Sequence, residues 1–273
     1  MNKLEKQQMV EFLVTLDNRR YIDILAEMEK PHLRGEFYAD GDNFILEVTN
    51  INIKNYDYCE YYIDLSSDAN ITFFCELINT KKAKVQNLAI AIKSFRSDIC
   101  KNDHFTAYFK DGVDSVIRQY GLFNSIKHDI ILPETDEIRR LNVDDCDMAE
   151  EFSVLNEQHG LPSWELPNFI DCIKHGSDIH RIYGYFRGNI LAGFVTTVRH
   201  TPKYYCIAYI YTSPEYRQNG IALNLARYYI NEFIDDGAFI SYGPAQNEAS
   251  EKTAIAAGFK LFSDTYGYDI KIK

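Results

Sequence analysis

The sequence predicts an α/β chain made of two successive α+β domains, residues 1–133 and 134–273. Three observations carry this expectation. The chain has 273 residues, long for one compact α/β unit and comfortable for two. Its apolar content is ordinary for a globular protein, and Tyr and Phe are abundant beside a single Trp, which suits many half-buried strands. From residue 136 onward the patterns follow the order β-α-β-β-β-α-β-α-β. Within that order, a strand, a basic turn and a helix start follow one another directly over Ile207–Ala222.

The first half reads as follows. Val10, Leu13 and Leu16, then Tyr21, Ile24, Leu25 and Met28, fall at helical spacing, and Pro31 stops the run. Gly35 to Ile53 reads as a hairpin turning at Asp40-Gly41-Asp42. Tyr61–Leu65, Ile71–Leu77 and Val85–Ile92 are strand candidates. Val113–Tyr120 reads as a helix ended by Gly121, and Ile126–Leu132 alternates like a strand. The boundary falls near Pro133-Glu134-Thr135-Asp136.

In the second half, Ile138-Arg139-Arg140-Leu141 is a strand leading through Asn142-Val143-Asp144-Asp145 into a capped helix. Ile182–Phe186 and Ile190–Val198 flank a turn at Arg187-Gly188-Asn189. The strand Tyr205–Tyr211 precedes the helix Ile221–Ile234, with Asp236-Gly237 as its cap. A strand Phe239–Tyr242, a helix Glu248–Ala257 and a final stretch Lys260–Ile272 complete the order.

Net charge is −11. That balance disfavours DNA or RNA as a partner, because phosphate backbones need a basic face. It is compatible with a cationic amine, and also with an acidic surface of no special purpose. Cys59, Cys75, Cys100, Cys146, Cys172 and Cys206 are scattered, with no paired spacing typical of zinc. Free thiols, no metal site and a cytoplasmic location are therefore expected. The start, MNKLEKQQMVEF, has no apolar core of a signal peptide. No stretch approaches the length of a membrane span.

The stretch Ile207–Ala222, IAYIYTSPEYRQNGIA, is the most informative. The first turn of a helix offers unpaired N–H groups and the positive end of the helix dipole, which suits a phosphate. Gly220 lets the backbone approach a ligand, and Arg217 adds a fixed positive charge at the lip. Arg217, Gly220 and Ala222 match the Gln/Arg-x-x-Gly-x-Gly/Ala motif, so the stretch resembles the acyl-CoA-binding loop of the GNAT superfamily of acetyltransferases. Tyr211–Arg217 resembles the family's strand-to-loop segment. Asn247-Glu248-Ala249-Ser250 and Ala257-Gly258-Phe259 resemble its next helix and that helix's exit, and Ile138–Leu141 its first strand. The resemblance covers about residues 136–273. It implies the GNAT acyl-CoA-binding fold with a mixed central sheet.

An internal echo links Tyr120-Gly121-Leu122…His128-Asp129-Ile130 with Ala257-Gly258-Phe259…Tyr268-Asp269-Ile270. It fits a first domain that is a degenerate GNAT copy without its own Gly-rich loop. It fits equally well the commonness of helix–Gly–strand junctions.

What the resemblance implies for the site is specific. Acetyl-CoA is the donor, its pyrophosphate on Arg217, Gln218, Asn219, Gly220, Ile221 and Ala222. Its pantetheine pairs with the backbone of Ile210, Tyr211 and Thr212. Asn247 and Ser250 match the N-x-x-S near pantetheine, and both also suit a plain helix start. Two departures stand out. Ala254 occupies the position where many members carry a Tyr acid, and Cys206 the position where some carry a Glu base. Tyr242 and Ser250 are the candidate catalytic groups, with Tyr209 and Tyr211 as further possible acids. Cys206 reads better as a small hydrophobe.

Glu157, Trp164 and Glu165, in the first helix–loop–helix, are candidate substrate contacts: carboxylates for an ammonium, an indole for an apolar or cationic group. A solvated loop anchored by Trp164 explains the same residues. The expected function is transfer of an acetyl group to a primary amine of a small molecule by direct attack, with the first domain as one wall of the cleft. The rival expectation is a non-catalytic acyl-CoA-binding sensor or scaffold. The acceptor and the oligomeric state stay open.

Overall fold

In the computed structural model the chain divides into two units, residues 1–118 with 262–273 and residues 119–261. The structure describes residues 1–16, 21, 24–25, 28, 35–53, 56–83, 88–96, 98–108, 113–122, 127–159, 161, 166–175, 180–201, 204–234, 239–243, 245 and 247–271.

The first unit opens with β1 (Asn2–Leu4) and α1 (Lys6–Thr15). The α1 start is held by a reciprocal box between Glu5 and Gln8, so two otherwise unpaired N–H groups are satisfied. Then come β2 (Phe37–Asp40), β3 (Asn43–Ile53), β4 (Tyr56–Asp64), α2 (Asp68–Lys82) and β5 (Leu88–Ser94). A short helix, α3 (Asp103–Tyr108), precedes β6 (Val113–Gly121). The first unit's strands lie in the order β1-β2-β3-β4-β5, and β5 is flanked in turn by β12 (Lys260–Lys271). β2, β3 and β4 are antiparallel neighbours, and β5 runs parallel to β4 after the α2 crossover.

β3 is buried on both faces, because a helix covers each. Ile45 packs with α2 residues Ile71, Phe74, Cys75 and Ile78. Phe44, Leu46 and Val48 pack with Met9 and Leu13 of α1.

The second unit takes the end of β6, then β7 (Asp136–Arg140), α4 (Cys146–Glu157), α5 (Leu166–His175), β8 (His180–Arg187) and β9 (Ile190–Thr201). It continues through β10 (Tyr204–Thr212), α6 (Ile221–Phe233), β11 (Phe239–Tyr242) and α7 (Glu248–Ala256). Its strand order is β6-β11-β10-β9-β8-β7. β7 to β10 are antiparallel neighbours, β10 and β11 are parallel, and β11 and β6 are antiparallel. The α6 residues Leu225, Ala226, Tyr229, Ile230 and Phe233 cover one face with Ala254 and Phe259. Phe152 of α4 and Ile170 and Ile173 of α5 cover the other.

Three sequence expectations give way here. Ile71–Leu77 lies inside α2: Ser67 caps the helix by accepting from Asn70 N at 3.2 Å. The buried Ile71, Phe74, Cys75 and Ile78 recur at helical spacing, a stripe that a short apolar window hides. Val113–Tyr120 belongs to strand β6, whose last residues pair with β11 (Tyr242↔Tyr120, Ser241↔Gly121); tertiary pairing of this kind overrides local propensity. Residues 127–132 form no strand. The Asn231 side chain takes the place of a ladder partner: its Oδ1 accepts from His128 N and its Nδ2 donates to His128 O, both at 2.7 Å. Strand β5 begins at Leu88, and Asp236-Gly237 lies outside the described residues.

Candidate functional site

The site is built where β10 outruns its parallel neighbour. β10 and β11 pair from Tyr204↔Phe239 to Ile207↔Tyr242. One further bond follows, from Gly243 N to Ile207 O at 2.7 Å. Beyond it, among the described residues, β10 continues on β9 alone, from Tyr209↔Thr196 to Thr212↔Gly193. A register shift between Ile207 and Tyr209 marks a bulge at Ala208.

The bulge changes which face each side chain meets. Tyr205 and Ile207 belong to the α6 core, and so does Ile210, while Tyr209 and Tyr211 pack into the α4–α5 core. Such an inserted residue re-aims the side chains after it. The Tyr209 and Tyr211 rings lie nearly parallel, 6.5 Å apart. Tyr211 OH donates to Asn156 Oδ1 of α4 at 3.3 Å. Burial pushes its phenol pKa up, and the Arg217 guanidinium pulls against that.

After Thr212 the chain turns through a 3₁₀ turn, Pro214–Tyr216, and into α6. Gln218 and Gly220 both have positive φ, +64° and +74°. Gly220 is the N-cap of α6 with ψ 6°, a conformation that favours glycine. A Cβ built on Gly220 would meet nothing within 4 Å, so the backbone rather than crowding demands glycine there. No side chain caps α6, and no acidic residue lies in its first turn. Its leading N–H groups therefore keep the positive end of the dipole.

Arg217 is exposed. Its Nε donates to Thr212 O at 3.2 Å, and its guanidinium lies 5.7 Å from the centre of the Tyr211 ring. Asn219 Nδ2 ties the loop by donating to Tyr216 O and Arg217 O, both at 3.1 Å. Thr212 Oγ1 is buried, and among the described residues it has no hydrogen-bond partner.

Ile221 is anchored in the core, while Ala222 is half-buried. The chain thus offers an uncapped helix start, an exposed Arg and Asn, an open left-handed glycine and a strand extension with one sheet neighbour. These features suit a phosphorylated ligand with an extended, amide-bearing tail.

The first turn of α7 meets the end of β11 at Tyr242. Asn247 Oδ1 accepts from Ser250 N at 2.9 Å, so Asn247 is the helix cap. Ser250 Oγ and Tyr242 OH are 3.1 Å apart. Burial raises the Tyr242 pKa, and the Ser250 hydrogen bond draws it back. Beside them Tyr120 OH donates to Glu251 Oε1 at 2.5 Å. Ala254 is fully buried. Cys206 donates its thiol to Ile207 O at 3.4 Å.

Glu157 is exposed at the end of α4. Trp164 and Glu165 lie outside the described residues. Sequence reasoning overlooked two positions. Gly243 follows a short apolar strand, a recurrent sign of close backbone approach. Asn156 falls on the buried stripe Ala149, Phe152, Ser153, Asn156, a polar residue where apolar ones belong. Among the described residues no three His, Cys, Asp or Glu side chains could jointly hold a metal ion. No helix among them is long and apolar enough to cross a membrane.

The model of the acetyltransferase (GNAT) family matches residues 144–259. No curated protein matches the chain. Solved structures resemble it nearly end to end. A functionally unknown conserved protein from Staphylococcus epidermidis ATCC 12228 has TM-score 0.61 and 9% identity, covering 93% of this chain and 98% of that one. A GCN5-related N-acetyltransferase from Kribbella flavida has TM-score 0.56 and 7% identity, covering 96% and 94%. A tandem GNAT protein from the clavulanic acid biosynthesis pathway has TM-score 0.52 and 13% identity, covering 97% and 94%. At these identities the likeness is one of fold, and it extends over both units. The stretch of this chain that is similar to the acetyltransferase (GNAT) family, residues 144–259, lies within the second unit.

Proposed function

We propose that the chain is an acyl-CoA-dependent N-acetyltransferase that moves an acetyl group from acetyl-CoA to a primary amine of a small molecule. The observation that carries this reading is the split of β10 from β11 beyond Ile207, opening beside the uncapped start of α6. In this reading the loop Arg217–Ala222 holds the pyrophosphate, and the Ile210–Thr212 backbone pairs with pantetheine as an added strand would. Asn247 and Ser250 flank the same tail.

The thioester supplies an activated acetyl group. The amine nitrogen forms the new C–N bond as the C–S bond breaks, and the amine loses a proton while the thiolate gains one. The chain's contribution is chiefly positioning, which alone can supply much of the rate. The hydroxyl pair of Tyr242 and Ser250, 3.1 Å apart, is the candidate proton donor to the thiolate. The buried Ala254 cannot serve, and the Cys206 thiol already donates to Ile207 O.

Because only the neutral amine attacks, the rate should climb with pH through the neutral range. An acceptor built as a small amine suits an acidic chain of net charge −11, and so does a cytoplasmic setting for its free thiols. Ala254 and Cys206, standing where proton-transfer groups are common in the family, favour a second reading: a protein that binds acyl-CoA without turning it over. Release of free CoA thiol from acetyl-CoA across a panel of primary amines separates the two. Amine-dependent thiol release supports transfer. Tight acetyl-CoA binding with no release for any amine supports the second reading.

A further inference from the structure

The two units share a core topology. In the first, β2, β3 and β4 form an antiparallel meander, α2 crosses over and β5 returns parallel to β4. In the second, β8, β9 and β10 do the same, α6 crosses over and β11 returns parallel to β10. A single bond aligns them residue for residue. Phe95 N donates to Ile63 O at 3.0 Å, as Gly243 N donates to Ile207 O at 2.7 Å. Ile63 is therefore the counterpart of Ile207, Asp64 of Ala208, and α2 of α6.

Resting on the donor reading above, we infer that the chain binds one acyl-CoA, in the second unit, and that the corresponding place in the first unit is built shut. Three features close it. First, β10 runs on from Ala208 to Thr212 past the last paired residue, whereas β4 ends at Asp64, one residue past Ile63. The strand edge that would pair with a pantetheine amide is missing.

Second, the vertex is latched. Asp64 is almost fully buried; its Oδ1 accepts from Arg96 Nε at 2.5 Å and its Oδ2 from Tyr21 OH at 2.6 Å. Arg96 follows directly on Phe95, so this ion pair bridges the two chain segments where a ligand would have to part them. Asp64 is the buried half of this pair, and without Arg96, which is partly exposed, its charge would lose that partner.

Third, the start of α2 is unfit for a phosphate. Ser67 Oγ takes the Asn70 N–H, and Asp68 lies in the first turn. The buried Asn70 side chain donates to Asp40 Oδ2 at 3.3 Å. The link Leu65-Ser66-Ser67 contains no residue with positive φ. An anion there would meet a satisfied helix end with Asp68 in its first turn and the Asp40 carboxylate on Asn70, where α6 presents an uncapped end beside Arg217. Like charges repel.

Isothermal titration of the full chain with CoA, carried to saturation, tests this. One CoA per chain is expected. Two per chain would overturn the inference while leaving the donor reading intact. No binding would overturn the donor reading itself. Gly220→Val and, separately, Arg217→Ala locate the one site: each should weaken it, Gly220→Val by about tenfold or more, with the circular dichroism of the folded chain retained. A single site whose affinity neither folded variant changes would lie elsewhere, and the inference would fall.

Discussion

Gly243 N donates to Ile207 O at 2.7 Å, and a Cβ on Gly243 would lie 2.7 Å from that same oxygen. The last tie between β11 and β10 thus depends on a residue without a side chain. Both strands continue in sequence, but only β10 continues as strand among the described residues. Gly243 sets where the sheet parts, and so how deep the opening beside α6 reaches.

Gly243→Ala should therefore act on stability and on the split together. The contact is with backbone, which cannot rotate away, so one strand must shift. A cost of about 1–3 kcal/mol is expected, as for other overpacked sites. Urea denaturation reads it, and CoA affinity should fall in the same variant. A variant as stable as the parent would show that the strands part freely there.

Gly220 acts differently. Its surroundings are open, but its φ is +74°. A β-branched residue is strained in that region, and its side chain would occupy the space before the α6 N-terminus. Gly220→Val should lower CoA affinity by about tenfold, or 1.4 kcal/mol. Gly220→Asn, which tolerates left-handed backbone, should fold more readily than Gly220→Val. Calorimetry and melting curves on the two variants separate strain from obstruction.

Asp145 offers a pH test of the second unit. Both Arg139 Nη atoms donate to its carboxylate at 2.7 Å, and Asn142 N donates at 2.9 Å. The Arg139 hydrogen bonds, chiefly, hold its pKa below the ordinary carboxylate value, against the opposing effect of burial. A depressed folded pKa means stability that is present above the unfolded value, about 3.9, and lost as pH falls through the folded one. Asp145→Asn should cost roughly 2 kcal/mol at neutral pH, typical of hydrogen bonds to a charged group. The gap between parent and variant should narrow below about pH 4. A gap that stays constant with pH would refute the assignment.

The legible parts of the candidate site were those written in short-range chemistry. The junction at Arg217–Ala222 could be read as a loop entering a helix because the left-handed turn before the helix calls for glycine. Asn247 was readable as a cap on the same short-range grounds. What could not be read depended on distant partners. The end of β6 is held by β11, and His128 lies where Asn231 holds it. The bulge at Ala208 turns Tyr209 and Tyr211 toward α4 without any mark in the local pattern. The echo read between Tyr120-Gly121-Leu122 and Ala257-Gly258-Phe259 does not carry the repeat, because Tyr120 and Gly121 end a strand whereas Ala257 and Gly258 follow a helix; what the units share is hydrogen-bond topology. The residues that close the first copy, Asp64 and Arg96, stand 32 positions apart.

Ala254 invites a gain-of-function design that the packing forbids. It stands where many members of the family carry a Tyr, yet it is fully buried against the α6 core with Ala257 and Phe259. Placing a phenol there would overpack a filled core, at about 1–3 kcal/mol or more. Ala254→Tyr should lower the melting temperature and reduce amine-dependent thiol release. A variant that melts like the parent and turns over faster would show that the site can accommodate the ring.

The division of the chain predicts where it can be cut. A fragment 135–273 loses Tyr120 and Gly121, which pair with Tyr242 and Ser241. It also loses the Tyr120–Glu251 bond and both Asn231–His128 bonds. β11 would be left with an open edge, a template for association. The same fragment carries residues 262–273, which belong to the first unit. A fragment 119–261 keeps every one of those bonds and drops the foreign strand. Size-exclusion chromatography should find 135–273 aggregated and 119–261 more nearly monodisperse, with the shorter fragment also melting more cooperatively. If the longer fragment proved monodisperse and bound CoA as the full chain does, the pairing of β6 with β11 would be dispensable to the second unit, and the boundary drawn at residue 119 would have no energetic meaning.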